Sequence, residues 1–199
     1  MMATDSRVTA RTSYPWLRPV AVTASLLLLG YGILRLIDGL DGHRDKSGWA
    51  WMTGHSLFLL GIVLFAVVMV ELRGLLLTTP LRKKALTNVA AGAGVLGAVG
   101  FVWVILGDLF PRFADAAPPS DLVLFGGPLL FELGLLTLLV RAVVVRLLPI
   151  WAPVAVLVGF VAIAINLDLL PIGAALVFGG LLPLAGPRSG GGLGRPGQA

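Results

Sequence analysis

Residues 147–185 read LLPIWAPVAVLVGFVAIAINLDLLPIGAALVFGGLLPLA, with Asp168 as the one charged residue in the run. As a single helix rising about 1.5 Å per residue, the run would be about 58 Å long, about twice a membrane core of about 30 Å. The sequence Asn166-Leu167-Asp168 with Pro171 resolves this. Asn ends a helix readily, Asp caps the next, and Pro is tolerated in a first turn. The run is therefore expected to fold as a tight hairpin of two short spans, 149–166 and 169–185.

Four more apolar runs precede it, at 17–37, 54–72, 88–110 and 122–140. Of the 199 residues, 57% are hydrophobic and only 13% charged, with a mean hydropathy of +0.96. Soluble domains carry about 25% charged residues, so this chain has too few to cover a surface in water. The runs are continuous rather than alternating with period two, which excludes a transmembrane barrel. The expectation is an all-α, polytopic bundle of six spans (17–185), preceded by a cytoplasmic segment, 1–16. A Gly-rich tail, 186–199, is expected to be disordered.

Orientation follows from the basic residues, which favour the cytoplasm near span ends. With both termini cytoplasmic, that side holds Arg7, Arg11, Arg18, Arg73, Arg82, Lys83, Lys84, Arg141, Arg146, Arg188 and Arg195, eleven of the fifteen. Seven of the ten acids fall on the other side. The net charge of +5 thus reports topology and not nucleic-acid binding. Cysteine is absent, so there is no thiol nucleophile and no thiolate metal site. The first span is expected to be an uncleaved anchor, since its apolar core outlasts a signal h-region of about 7–15 residues.

Lipid gives no hydrophobic drive for helix association, so small residues mark contacts. Ala90, Gly94, Gly97 and Ala98 share one face of the third span and are expected to pack tightly. Gly173, Ala174, Ala175, Gly179 and Gly180 suggest a second tight contact.

Glu132 lies mid-span in LLFELGLL (129–136). An acid at that depth costs about 2.5–3.5 kcal/mol on insertion scales, and glutamate is too short to reach the interface. It is expected to face the bundle, a cavity or a second subunit, as a neutral acid. Two readings stay open: a hydrogen-bonded fastener, or a proton carrier, cation ligand or general acid. Asp38, Asp108 and Asp168 each end an outward helix or begin the next. Arg35 and Arg112 offer ion pairs to the first two, and Asp168 offers a cap. Alternatively these acids converge with His43 and His55 as acid–base or metal-binding groups. His55 also reads as an interfacial histidine beside a Trp49–Trp51 belt. Arg73, Arg82, Lys83 and Lys84 form a basic loop suited to anionic lipid headgroups.

The segments GHSLFLLGIVLF, GDLFPRF, RLLPIWAPV and NLDLLPIGAAL resemble those of small six-span actinobacterial integral membrane proteins of unknown function. That resemblance implies a multi-pass protein of a bacterial plasma membrane and no particular activity. Three functional classes follow. One is a small transporter subunit or accessory component, as a homo-oligomer or alone. Another is an enzyme acting on a lipid or isoprenoid substrate through Glu132, or through Asp108, Asp168 and His55. The last is a structural partner. No nucleophile, metal or phosphate motif supports the enzyme, and no cofactor is implied.

Overall fold

The computed structural model describes residues 16–40, 46, 48–81 and 83–185, and among these it is helical without strands. Seven helices follow in order: α1 Leu17–Asp38, α2 Trp49–Leu77, α3 Lys84–Leu109, α4 Pro111–Ala116, α5 Asp121–Val144, α6 Trp151–Ile165 and α7 Leu170–Leu181. A 3-10 turn, Leu167–Leu169, precedes α7, and Leu182–Ala185 extends it as another. Helices suit these apolar runs because a helix satisfies its own backbone hydrogen bonds, which hydrocarbon cannot do.

Helices α1, α2, α3 and α5, and the 167–184 segment, are long and apolar enough to cross a membrane, whereas α6 is a shorter apolar helix. The exterior agrees with a lipid surround. On α2, Ile62, Phe65, Met69, Leu72 and Leu76 turn inward, while Leu60, Val63, Val67 and Val70 turn outward and are equally apolar. A helix apolar on every face does not belong at a water surface.

The long helices form a closed ring, α1-α2-α3-α5-α6-α7 and back to α1, in which α5 and α6 touch least. Neighbours run antiparallel. Gly94, Gly97 and Gly100 of α3 meet Gly134, Phe131 and Gly127 of α5, so positions rising on one helix fall on the other. Likewise Gly159 meets Gly173, and Gly180 meets Ala152, across α6 and α7. Ala90, Gly94, Gly97 and Ala98 are all buried, as their shared face predicted. Gly179 is different: nothing lies within 4 Å of where its side chain would be, so it faces outward and packs against nothing.

Several boundaries depart from the sequence expectation. Helix α2 begins five residues earlier and ends five later than the 54–72 run, because WAWMT and RGLLL continue it without a break. The PRFADA segment forms a short helix of its own, since Pro111 at its start has its φ preset for a first turn. The 166–171 turn exists, but its cap is Asn166. The Asn166 Oδ1 accepts the Asp168 N–H at 2.9 Å, and α7 itself, with Leu169 at its N-cap position, has no side-chain cap. Asp168 is therefore the capped residue and not the cap. Asn166→Ala is expected to cost about 1 kcal/mol, the usual worth of such a cap, read as a lowered unfolding midpoint in detergent.

His43, Arg82, the 1–15 lead and the 186–199 tail lie outside the described residues.

Candidate functional site

Antiparallel packing gathers Asp38, His55, Asp108 and Asp168 at one end of the bundle, here the aspartate end. Arg73, Lys83 and Arg141 lie at the other, the arginine end.

At the aspartate end His55 is buried, with 3% exposure. Trp51, one helical turn before it, stacks on the imidazole with centroids 4.0 Å apart, and Tyr31 of α1 meets it edge-on at 5.1 Å. The bland expectation of an aromatic belt thus holds only for Trp49, which is exposed, while Trp51 is a core residue. His55 Nδ1 lies 2.9 Å from the Trp51 carbonyl oxygen. A carbonyl only accepts, so Nδ1 carries the hydrogen and Nε2 faces Asp108 Oδ2, 3.7 Å away. The Trp51 indole N–H donates to the Asp108 carbonyl at 3.2 Å, fastening the start of α2 to the end of α3.

The contact made is His55 with Asp108, so this pair is what the structure brings together of the sequence-predicted grouping. Asp168 sits exposed at the same end. The expected Arg35–Asp38 and Arg112–Asp108 bridges are not made among the described residues. The helix break at Phe110 puts Arg112 in the short exposed helix α4, and Asp108 faces His55 instead. Among the described residues, no group of three His, Asp or Glu side chains is placed to hold a metal ion.

Directly beneath the His55–Asp108 pair lies a cavity of about 140 Å³. Six rings wall it: Tyr31, Phe58, Phe65, Phe101, Phe131 and Phe160, contributed by α1, α2, α3, α5 and α6. They interlock. Tyr31 stacks on Phe58 at 4.5 Å, and Phe58, Phe101, Phe131 and Phe160 follow in edge-to-face steps of 5.6, 5.4 and 6.0 Å. Such pairings add about 0.5–1.5 kcal/mol each beyond the area they bury. Among the described residues Glu132 is the only carboxyl on this wall, and it is half-buried. Its neighbours on the α5 surface, Leu129 and Leu133, are exposed to the outside. The carboxyl therefore stands beside the α5–α6 seam, the loosest in the ring.

Toward the arginine end the cavity meets a solid floor. Phe65, Met69, Leu72, Leu135, Leu138 and Leu139 are fully buried there, and the buried polar side chains farther toward that end are Thr87 and Arg141. The arginine end has its own fastenings. Arg73 Nε donates to Asn88 Oδ1 at 2.7 Å, joining α2 to α3, so it is engaged within the fold rather than spread over a basic loop. Arg141 was visible in the sequence only as a topological charge. It is buried, and its Nη2 donates to the Lys83 carbonyl at 3.2 Å. Lys83 and Lys84 are exposed.

What this arrangement offers chemically is an aromatic chamber with one acid, topped by a shielded His–Asp pair. No family model matches the chain, and neither the curated proteins nor the solved structures provide a match.

Proposed function

We propose that this chain is an accessory binding component of a bacterial plasma membrane, with both termini cytoplasmic, that holds a small organic cation against Glu132. The observation that carries the proposal is the cavity walled by six rings with a single carboxyl. Ring faces attract cations, by about 2 kcal/mol or more once water is excluded, and Glu132, neutral in the empty chamber, supplies the countercharge by giving up its proton as the cation binds. A cavity of about 150 Å³ holds a benzene-sized guest, so the match is to a ligand of that size. Entry through the α5–α6 seam fits, because Glu132 borders it. A complete transport path needs a continuous run of polar groups on both sides of Glu132, and toward the arginine end a layer of fully buried apolar side chains separates it from Thr87 and Arg141. That favours a binding or accessory role over a stand-alone conduit. The enzyme reading would need a second group converging on the cavity. Tyr31 is the one polar side chain available there besides Glu132, while His55 and Asp108 lie above the wall.

The test is equilibrium binding to protein in lipid nanodiscs, comparing N-methylpyridinium with toluene, its near-isosteric neutral counterpart. The cation is expected to bind, and Glu132→Gln to weaken it about tenfold or more, the worth of one charge-assisted contact. Toluene binding should be unchanged by the substitution. Equal binding of both probes, undisturbed in Glu132→Gln, would reduce the cavity to a packing void and leave the structural-partner reading.

A further inference from the structure

The arginine end holds a second cavity, unconnected with Glu132. It has a volume of about 490 Å³ and lies between the α2–α3 connection (Thr79, Pro80, Leu81) and the last turn of α5 (Arg141, Val144, Val145, Arg146). We propose that this cleft binds the phosphate of an anionic lipid headgroup, held by Arg141 and Arg146.

Three observations converge on it. Arg141 lies at the cleft with only 8% exposure, and its bond to the Lys83 carbonyl pins the guanidinium across the two walls. A guanidinium held in place presents several N–H donors in a fixed fork, which matches phosphate oxygens.

The backbone gives the second observation. Helix α5 ends in a Schellman turn, with Leu147 N–H to Ala142 carbonyl and Arg146 N–H to Val143 carbonyl, both 2.8 Å. The left-handed position of that turn is usually glycine, but here it is Arg146, with φ 58°. The other non-glycine residue with positive φ among the described residues is Lys83, also at φ 58°, whose carbonyl holds Arg141. Both left-handed, non-glycine positions among the described residues are thus basic; Arg146 lines the cleft, and Lys83 touches it through the carbonyl that holds Arg141. Strain retained at a site is a reason to look for what the side chain does there.

The third is the wall chemistry. Val144, Val145, Leu81 and Pro80 stand beside the two arginines, and Val144 continues onto the lipid-facing exterior at 67% exposure. A free phosphate has no use for such a wall. An amphiphile whose phosphate meets the arginines while its chain follows Val144 uses both parts. The 73–84 connection supplies the wall of Thr79, Pro80 and Leu81 here, and the cations are Arg141 and Arg146 rather than Arg73, which is already bonded to Asn88.

The experiment is thermal unfolding of the full chain in phosphatidylcholine micelles, titrated with phosphatidylglycerol or with inorganic phosphate. Phosphatidylglycerol is expected to raise the melting temperature saturably, as binding to the folded state requires, and inorganic phosphate is not. Arg146→Gln keeps the strained backbone and removes the charge, whereas Arg146→Gly removes both. Each should shift the phosphatidylglycerol dependence to about tenfold higher concentration, the loss of one charge-assisted contact. Arg146→Gly should in addition melt higher than the parent in phosphatidylcholine alone, since glycine relieves the left-handed turn. Lys84→Gln should respond like the parent. An unchanged response in both Arg146 variants, or an equal loss in Lys84→Gln, would overturn the site in favour of diffuse surface charge. A matching rise with inorganic phosphate would overturn its lipid identity.

Discussion

Gly134→Ala should lower the unfolding free energy of the bundle by about 2–4 kcal/mol, a large effect for one methyl group. A Cβ at Gly134 would stand 2.5 Å from both the Cα and the N of Gly94 and 2.6 Å from the Ala90 carbonyl oxygen. All three are backbone atoms, so no side chain can rotate away, and α3 and α5 must separate along their length. The same contact continues at Gly97, where a Cβ would meet the Phe131 backbone and the Gly127 carbonyl. Lipid tails are as apolar as the helix faces, so a pair that cannot approach closely loses most of what holds it together. Gly92→Ala and Gly179→Ala provide the contrast, because both positions open onto empty space. They should be neutral, or gain up to about 1 kcal/mol from the better helix propensity of alanine. Reversible unfolding in mixed micelles measures all three, and a Gly134→Ala variant as stable as Gly92→Ala would refute the close-contact account.

Phe131→Ala should be the most damaging core truncation, costing about 3 kcal/mol. Phe131 is 1% exposed, and its ring meets Phe65, Phe101 and Phe160 edge-to-face, joining α5 to α2, α3 and α6. The α5–α6 seam has few other contacts, so the ring pair with Phe160 carries much of it. The lost contacts are dispersion contacts, which a bilayer does not replace inside a sealed bundle. The space released adds to the cavity beside Glu132. A two-ring guest such as naphthalene should therefore raise the melting temperature of Phe131→Ala and leave the parent unmoved. Absence of that rescue, with the destabilisation intact, would mean that the helices collapse into the space.

Hydrophobic runs located every long helix, because span length is imposed by the bilayer and written locally. The small-residue face of α3 was equally legible, since 3.6-residue periodicity needs no partner to be seen. Helix α4 was not, being six residues of mixed polarity with only Pro111 as a signal. The Asn166 cap was misassigned to Asp168, as both residue types cap and spacing alone does not choose between them. Antiparallel counting put His55 and Asp108 at one end, but not their facing geometry, which depends on how Trp51 turns. The aromatic chamber could not be read. Its rings come from five helices between positions 31 and 160, and nothing local in the sequence links them. Glu132 was conspicuous from the start, whereas Arg141 looked like one more topological charge until its burial showed otherwise.

The brevity of α6 has a consequence for the lipid. Its fifteen residues rise about 22 Å, well short of a hydrocarbon core of about 30 Å. A bilayer meeting so short a flank thins against it, at a fraction of a kcal/mol for each ångström of mismatch. Such a dimple is expected on the α5–α6 side, and headgroups drawn in there would shorten the oil a polar visitor crosses to reach that flank. The same deformation would favour thin regions of membrane and neighbours that are equally short.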